Sequence, residues 1–480
     1  MKAENPETSE RRHTSGRLRW LLDLFGVCFV VALLIGVPFA MLQARHQRTR
    51  LEIQKRLDAI RAAGQPLTAQ DLAKLYPDPP PDKDASLLLK PALELLTVPD
   101  VLAEPDESTN LLFFDVSLPR SGSLDPPVLA EGRKWLDRNQ AAFALIPWSK
   151  LEGAWVGSGF TNGFDNLTEA PLSKMSHLVR LLCLNAVLQA EQQHPHEAVM
   201  SLQQAAVIGN TLKNDLPVHF LVRAMAQSIV SRSLQRVLNR VNLPDADLVS
   251  FPNFLTLTNI GATRESWIIS KRPDALFAAD LLESQTSQLT KGVVSPLRRV
   301  TSAFKGEILY HVEDLLQYLD WSDHCLAALD SPVTNAISTL RNIEKLQDDA
   351  VKNKHVLLDV FKTRRFSLLS MEEPKISGAF LIELKVVAQV RVAVAALAVE
   401  RWRFAHGGQV PGSFAELAPN FLPAVPADPF DGQPLRYKKL AGGYVIYSIG
   451  EDFADDGGKE EDPNVAGGNQ HYDITFTVDK

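Results

Sequence analysis

The hydrophobic and polar positions of this chain repeat mostly with the period of an α-helix. Apolar residues recur on one helical face in residues 176–193 and again in residues 198–212, and His194-Pro195 lies between them. The same periodicity predicts further helices at 216–241, 244–257, 272–289, 297–319, 323–329 and 332–369. We therefore predict a mainly α-helical body.

The pattern changes toward the carboxyl-terminal end. A long helix with an apolar face is predicted for residues 376–404, and it ends at His406-Gly407-Gly408. Alternating apolar and polar residues then predict strands at 435–438, 444–448 and 472–478. Gly442-Gly443 is the predicted turn between the first two strands. We expect a small α+β module in which one face of a three-stranded antiparallel sheet packs on the helix.

The amino-terminal pattern is that of a membrane anchor. The 19 residues from Leu24 to Leu42 carry no charge, and at ~1.5 Å per residue they span the hydrocarbon layer of a bilayer. We predict a cytoplasmic tail at 1–19 and a single transmembrane helix at 20–43. A signal peptide cleaved near 41–44 is the alternative, but its apolar core is usually only ~7 to 15 residues long.

The segments between the anchor and the module follow from composition and helix signals. Residues 44–84 are interpreted as a stalk helix, expected to project freely, followed by a stiff linker that contains Pro79-Pro80-Pro81. Residues 85–375 form the helical domain, and residues 376–480 form the α+β module. Thr68 and Ser413 are predicted to cap short helices.

Charge and cysteine content narrow the classes of function. The formal net charge is −7, and residues 451–480 alone hold nine acidic residues against two lysines, so the rest of the chain is neutral. This balance argues against a basic nucleic-acid-binding surface. Cys28, Cys183 and Cys325 form neither a disulfide framework nor a CxxC zinc motif. We expect two buried free thiols, with a Cys183–Cys325 disulfide as the alternative.

An acidic, glycine-rich loop follows the predicted hairpin. Asp452, Asp455 and Asp456 lie beside Gly457-Gly458, and Asp462 follows. Glycines let a tight loop turn carboxylate oxygens inward, which suits a hard cation such as Ca²⁺. The alternative is a solvated acidic turn, because the spacing does not fit an EF-hand.

The order of motifs in residues 376–480 carries a resemblance. A long helix is followed by DPF-x-G-x-PL-x-Y, by Y-x-x-YS-x-G-x-D and by the acidic loop. This order resembles the globular head of the major pseudopilins of type II secretion systems. The resemblance implies a helix packed on a small sheet and a structural calcium ion, with Asp452 as its first aspartate and Asp455, Asp456 or Asp462 as the second.

Other groups of reactive residues have structural explanations. His194 and His196 are a potential metal pair but also suit a surface turn, and Asp323-His324-Cys325 point in different directions on a helix. The flanking spacing of Gly157-Ser158-Gly159 fits neither a nucleophile elbow nor a phosphate loop. Trp148, Trp155 and Phe160 have two interpretations: they line a groove, or they pack in the core.

These observations favour a non-catalytic scaffold or interaction protein. We expect it to be anchored in the bacterial inner membrane with most of the chain outside the cytoplasm, to bind the lipid bilayer through residues 20–43, and to contact protein partners of secretion or pilus-like machinery. The overall design also resembles large membrane-anchored helical proteins of environmental bacteria, which implies no activity. An envelope hydrolase with a site assembled from distant helices, or a helical module that binds a peptide or polysaccharide, are the alternatives.

Overall fold

α-Helices make up most of the described chain, which confirms the predicted mainly helical class. The computed structural model describes residues 47–98, 118–162, 171–213, 216–269, 307–352, 375–460 and 472–480, together with residue 272 and separate positions between 26 and 45. Helix α1 covers residues 47–62. The later helices are α2 (Ala69–Leu75), α3 (Ala85–Leu95), α4 (Pro126–Ala144), α5 (Leu172–Glu191), α6 (Pro195–Asn210), α7 (Pro217–Leu238), α8 (Asp245–Ser250), α9 (Glu307–Leu329), α10 (Val333–Lys352) and α11 (Ile376–Ala405).

Helices α5, α6 and α7 pack on one another and form the centre of the helical body. Small residues allow two of the helices to approach closely. A Cβ atom added to Gly209 in α6 would lie 2.6 Å from the Cβ of Ala226 in α7, which is less than van der Waals contact. Helices α5 and α6 pack on each other on either side of His194-Pro195, which confirms the predicted helix pair.

A three-stranded antiparallel sheet in the order β1-β2-β3 follows helix α11, as predicted. The strands are β1 (Arg436–Lys439), β2 (Gly443–Ser448) and β3 (Ile474–Asp479). Ile446 in the central strand pairs with Tyr437 on one side and with Phe476 on the other. Every residue of β2 is buried, so both faces of the sheet are covered at its centre.

Helix α11 joins the sheet to the helical body within one hydrophobic core. It packs against α7, α8 and α10 as well as against β2 and β3, and Tyr444 Oη donates to the Ala396 carbonyl oxygen at 3.3 Å. Buried apolar residues from all parts of the chain between Ala85 and Val478 contact one another in a single hydrophobic core. The domain boundary proposed between residues 375 and 376 stays a prediction, and the core extends across it.

The end of β3 is fixed directly to the end of α7. Asn239 donates from Nδ2 to the Thr477 carbonyl oxygen at 2.8 Å and accepts the Asp479 backbone N–H at 2.8 Å. Lys480 donates from Nζ to the Leu238 carbonyl oxygen at 2.6 Å. The Lys480 bond satisfies a carbonyl group that the end of a helix leaves unpaired.

Two predicted helix boundaries are wrong. The predicted break near residue 320 does not exist, because α9 runs through it and its Asp320 lies 2.5 Å from the Arg56 guanidinium of α1. The predicted helix at 244–257 ends at Ser250 and continues only as a 3₁₀ turn, Phe251–Phe254. Pro252 lies in this turn, and a proline has no backbone N–H with which to continue a helix.

The stalk helix α1 packs on the body over its second half. Ile53 and Ile60 are buried against Leu319 of α9, together with Leu67. The expectation of a freely projecting stalk is therefore wrong for residues 53–60.

Residues 20–43, the predicted transmembrane helix, are described at eight positions only. These positions are helical and exposed, and the remaining residues of the segment lie outside the described part of the chain. The apolar ones are Val30, Leu34, Val37, Ala40 and Met41. In the described ranges, no helix meets the length and hydropathy needed to cross a membrane.

Candidate functional site

The part of the acidic loop around Gly457-Gly458 lies on the side chains of Val445 and Tyr447 in β2. Gly457 and Gly458 have positive φ angles of 75° and 81°, which residues with a side chain rarely adopt. A Cβ atom on Gly458 would lie 3.2–3.3 Å from side-chain atoms of Tyr447 and Val445. The glycines therefore allow the loop to cover β2 closely.

The aspartates of this loop mostly bind backbone groups within the loop. Asp452 Oδ1 accepts the Ala454 N–H at 3.1 Å, and Asp455 Oδ1 accepts the Gly457 N–H at 2.9 Å. Asp456 differs, because its buried Oδ2 atom has no hydrogen-bond partner among the described residues. The fourth predicted ligand, Asp462, lies outside the described residues.

Asp473 is a member of this cluster that the sequence analysis did not identify. It is buried just before β3 and accepts the Gly458 N–H at 2.6 Å and the Asp456 N–H at 3.4 Å. Burial raises the pKa of the Asp473 carboxyl, and the charges of Asp455 and Asp456 raise it further, although the two N–H donors oppose this. The alternating sequence of β3 did not predict that Asp473 is buried, because it predicts that a polar residue at this position faces solvent.

Arg436 and Asp428 connect the loop to the rest of the module. The Arg436 guanidinium contacts both Asp428 and Asp431, and its Nε lies 3.8 Å from Asp455 Oδ2. Asp428 is fully buried and accepts hydrogen bonds from the Ser448 hydroxyl at 2.8 Å and from the Ile449 N–H at 2.9 Å. The DPF segment thus holds the end of β2 through a buried carboxylate.

The fit of this loop to Ca²⁺ depends on Asp456. A calcium ion takes six to eight oxygen ligands, and a buried carboxylate oxygen without a donor is a group that a cation satisfies. Asp455 and Asp456 both interact electrostatically with the Asp473 carboxylate. No group of three or more His, Cys, Asp or Glu side chains in the described ranges is arranged to hold a metal ion.

The two histidines of the helical hairpin face different partners. His194 Nδ1 lies 3.1 Å from the side-chain oxygen of Gln189, whereas His196 Nδ1 lies 3.3 Å from Asp247 Oδ2. The structure therefore does not bring them together as ligands of one metal ion.

Asp323, His324 and Cys325 also diverge. Asp323 accepts from Arg272 at 3.2 Å, and His324 Nδ1 lies 2.6 Å from the Asp320 carbonyl oxygen. Burial raises the pKa of Cys325 to about 12, and the charge of Glu344 adds to the rise. A thiol in this environment stays protonated and is a poor nucleophile. Cys183 and Cys325 are both buried thiols that form no disulfide among the described residues, as predicted.

The segment around Gly157-Ser158-Gly159 binds the proline-rich linker. Asp78 Oδ1 accepts the Gly159 N–H at 2.9 Å, and Trp155 Nε1 donates to the Pro77 carbonyl oxygen at 3.1 Å. Phe160 is buried with its ring centroid 6.3 Å from that of Tyr76. These contacts fit the structural explanation of the aromatic residues.

Comparison with known proteins identifies no relative. No protein-family model, no curated protein and no solved structure matches this chain. The resemblance to the pseudopilin head therefore stays a prediction.

Proposed function

We propose that this chain is a single-pass membrane protein of the bacterial cell envelope and that it acts as a non-catalytic scaffold or interaction component. The observation that carries the proposal is the apolar surface of the amino-terminal helix. The side chains of Val30, Leu34, Val37 and Met41 are 44–69% exposed. They belong to a charge-free run of 19 residues, and a bilayer is the environment that removes such a surface from water.

The anchoring is tested by introducing charge into this surface. The full chain is expressed in bacteria, and its share in carbonate-washed membranes is measured. A lysine at the centre of a transmembrane helix costs about 3 kcal/mol, so L34K/V37K transfers most of the chain to the soluble fraction. The control L51K/L75K changes two exposed leucines outside the charge-free run and leaves the chain in the membrane.

Recovery of the wild-type chain in the soluble fraction would overturn the anchoring. The orientation is tested separately with protease added to spheroplasts. We propose that the body lies outside the cytoplasm, so protease degrades the body in intact spheroplasts. Degradation that requires lysis would place the body on the cytoplasmic side.

A scaffold role is supported by how the buried carboxylates are used. Glu383 accepts the backbone N–H groups of residues 261–263, and Glu344 accepts the N–H and hydroxyl of Ser377. Asp428 likewise accepts the Ile449 N–H from the end of β2. These acidic groups satisfy backbone donors across long sequence separations, which is a structural use of buried charge.

A pseudopilin-like role in secretion or pilus-like machinery is proposed for the α+β module, with Ca²⁺ bound at the acidic loop. Asp456 and Asp473 are the carboxylates best suited to contribute oxygens, since Asp456 Oδ2 is buried without a donor and Asp473 is buried beside it. Calcium from outside the cytoplasm would then stabilise the loop as a ligand of the folded state.

The calcium proposal is tested on the full chain by thermal unfolding and by hydrogen exchange of Gly458. Because the pKa of Asp473 is raised in the folded state, its contribution to stability is present below the unfolded pKa and is lost as pH rises through the folded pKa. Millimolar calcium raises the free energy of unfolding again, by about 1.4 kcal/mol when the calcium concentration is ten times the dissociation constant.

Two substitutions in the loop make this test specific. D456N removes the response to calcium, whereas E451Q keeps it, because Glu451 pairs with Lys385 at 2.9 Å. Equal unfolding of the wild type with and without calcium would refute the calcium site and leave the membrane anchoring untouched.

A further inference from the structure

Two side chains of β2 are buried on the face of the strand opposite to Tyr444. Side chains alternate between the two faces of a strand, so Val445 and Tyr447 project from this opposite face. Both are nevertheless buried, with exposed fractions of 4% and 3%. A Cβ atom on Gly458 of the acidic loop would lie only 3.2–3.3 Å from atoms of both side chains. Opening of the acidic loop at Gly458 would therefore expose apolar surface at the centre of the sheet.

Three ion pairs hold the described part of the acidic loop, residues 451–460, against other elements. They join the loop to α11, to β1 and to the segment before α4, and the pairs are Glu451–Lys385, Asp455–Arg436 and Glu460–Arg120. The three acidic side chains are 40–50% exposed. Ion pairs with this exposure each contribute little to stability and are screened by salt. The loop is therefore held along its length by weak contacts that depend on charge.

Lys438 of β1 fixes the loop directly over the sheet. Its Nζ donates to the Gly457 carbonyl oxygen at 2.6 Å and lies 5.6 Å from the centre of the Tyr447 ring. Lys438 is paired with Val445 in the register of the sheet, so the two side chains lie on the same face. The next residue, Lys439, is also exposed but projects from the other face. The strand thus offers two neighbouring lysines of which one holds the loop.

The residue at the end of β2 is held by a different kind of contact. The Ile449 N–H donates to Asp428, which is 1% exposed. Gly450 follows with a φ angle of 76°, a conformation that glycine adopts without strain. A segment with partly exposed contacts that begins beside a buried one has the features of a segment that opens locally, without unfolding of its surroundings.

We propose that the acidic loop opens and closes over β2 separately from the rest of the module, and that Lys438 and the three ion pairs keep it closed. Opening exposes Val445 and Tyr447 and leaves the Lys438 ammonium group beside them. The open form therefore presents an apolar surface with a basic edge. This conformational device goes beyond the function proposed above, because it requires neither calcium nor the membrane anchor.

Hydrogen–deuterium exchange of the full chain in EDTA tests the proposal. The Gly458 N–H donates to Asp473 at 2.6 Å and reports the opening of the loop, whereas the Ile449 N–H reports the opening of the module. K438Q should accelerate the exchange of Gly458 about tenfold, because a hydrogen bond from a charged donor is lost, and should leave Ile449 unchanged. K439Q removes the same charge from the same strand and should change neither rate.

A second measurement uses the wild-type chain, so it does not depend on the folding of a variant. An increase in salt from about 0.05 M to about 1 M should accelerate the exchange of Gly458 about fivefold, because the exposed ion pairs are screened. Ile449 should not respond. Hydroxyl-radical oxidation of Tyr447, measured by mass spectrometry, should rise together with the exchange of Gly458.

Three results would overturn the proposal. Equal opening equilibria of Gly458 and Ile449 in the wild type would mean that the loop opens together with the module. Equal exchange of Gly458 in K438Q and K439Q, or exchange that does not respond to salt, would mean that the cations do not hold the loop. EDTA removes calcium from every sample, so a failure of the calcium site leaves these measurements unchanged and the two failures are distinguishable.

Discussion

Asp428 provides the sharpest test of how the carboxyl-terminal module is held together. It is 1% exposed and accepts four hydrogen bonds. The donors are Phe430 N at 3.0 Å, Ser448 Oγ at 2.8 Å, Ile449 N at 2.9 Å and Arg436 Nη1 at 2.6 Å. D428A removes the acceptor and leaves buried donors without a partner.

The expected loss follows from the burial of these donors. An unpaired buried donor costs about 1–3 kcal/mol, and removal of one member of a buried ion pair costs about 3–5 kcal/mol. These costs overlap, and Arg436 keeps some contact with water because its side chain is 21% exposed. We expect D428A to reduce the stability of the module by about 4 kcal/mol, a roughly thousandfold shift in its opening equilibrium.

Hydrogen–deuterium exchange of the full chain measures this shift locally. The Ile449 N–H should exchange roughly a thousandfold faster in D428A than in the wild type. The matched control is D431A, because Asp431 contacts the same arginine but its side chain is 24% exposed. A partly exposed ion pair is worth about 1 kcal/mol or less. Equal acceleration in the two variants would show that the buried acceptor does not hold the end of β2.

Further predictions concern the buried thiol and two close backbone contacts. Because burial raises the pKa of Cys325 to about 12, iodoacetamide at pH 8 should label it only after denaturation, and rapid labelling of the folded chain in mass spectrometry would contradict this. G443A would place a Cβ atom 1.9 Å from a backbone oxygen of β3, so we expect thermal unfolding to show a loss of stability above about 3 kcal/mol. G442A is the mild control, because its one close contact is the flexible Asp479 side chain at 2.5 Å. G209A should cost about 1–3 kcal/mol, and A226G in the same chain should recover part of it; strict additivity of the two changes would contradict the contact.

The sequence predicted the elements whose signals are local. Strand β2 begins within one residue of its predicted start, because aromatic and β-branched residues alternate after a glycine turn. Thr68 caps α2 by accepting the Asp71 N–H, as its residue type indicates. Helix α11 ends within one residue of the predicted position, just before Gly407 and Gly408.

Contacts between distant parts of the chain were not predictable in this way. Glu383 accepts N–H groups from residues 120 or more positions away, and nothing in its local sequence indicates those partners. The sequence predicted a helix break near residue 320, but α9 is continuous there and its Asp320 and Asp323 lie against Arg56 of α1. Periodicity reports which face of a helix is apolar but not which element covers it.

The contacts between the end of β3 and the end of α7 have a consequence for folding during synthesis. Asn239 binds Thr477 and Asp479, and Lys480 binds the Leu238 carbonyl oxygen, each across about 240 positions of sequence. These contacts can form only after the last strand has emerged during synthesis. Native contacts that span such long intervals slow folding, because loop-closure entropy is lost before they form. A nascent form of this chain therefore carries the exposed apolar flank of α11 until β3 has been synthesised, and it depends on protection from aggregation during that interval.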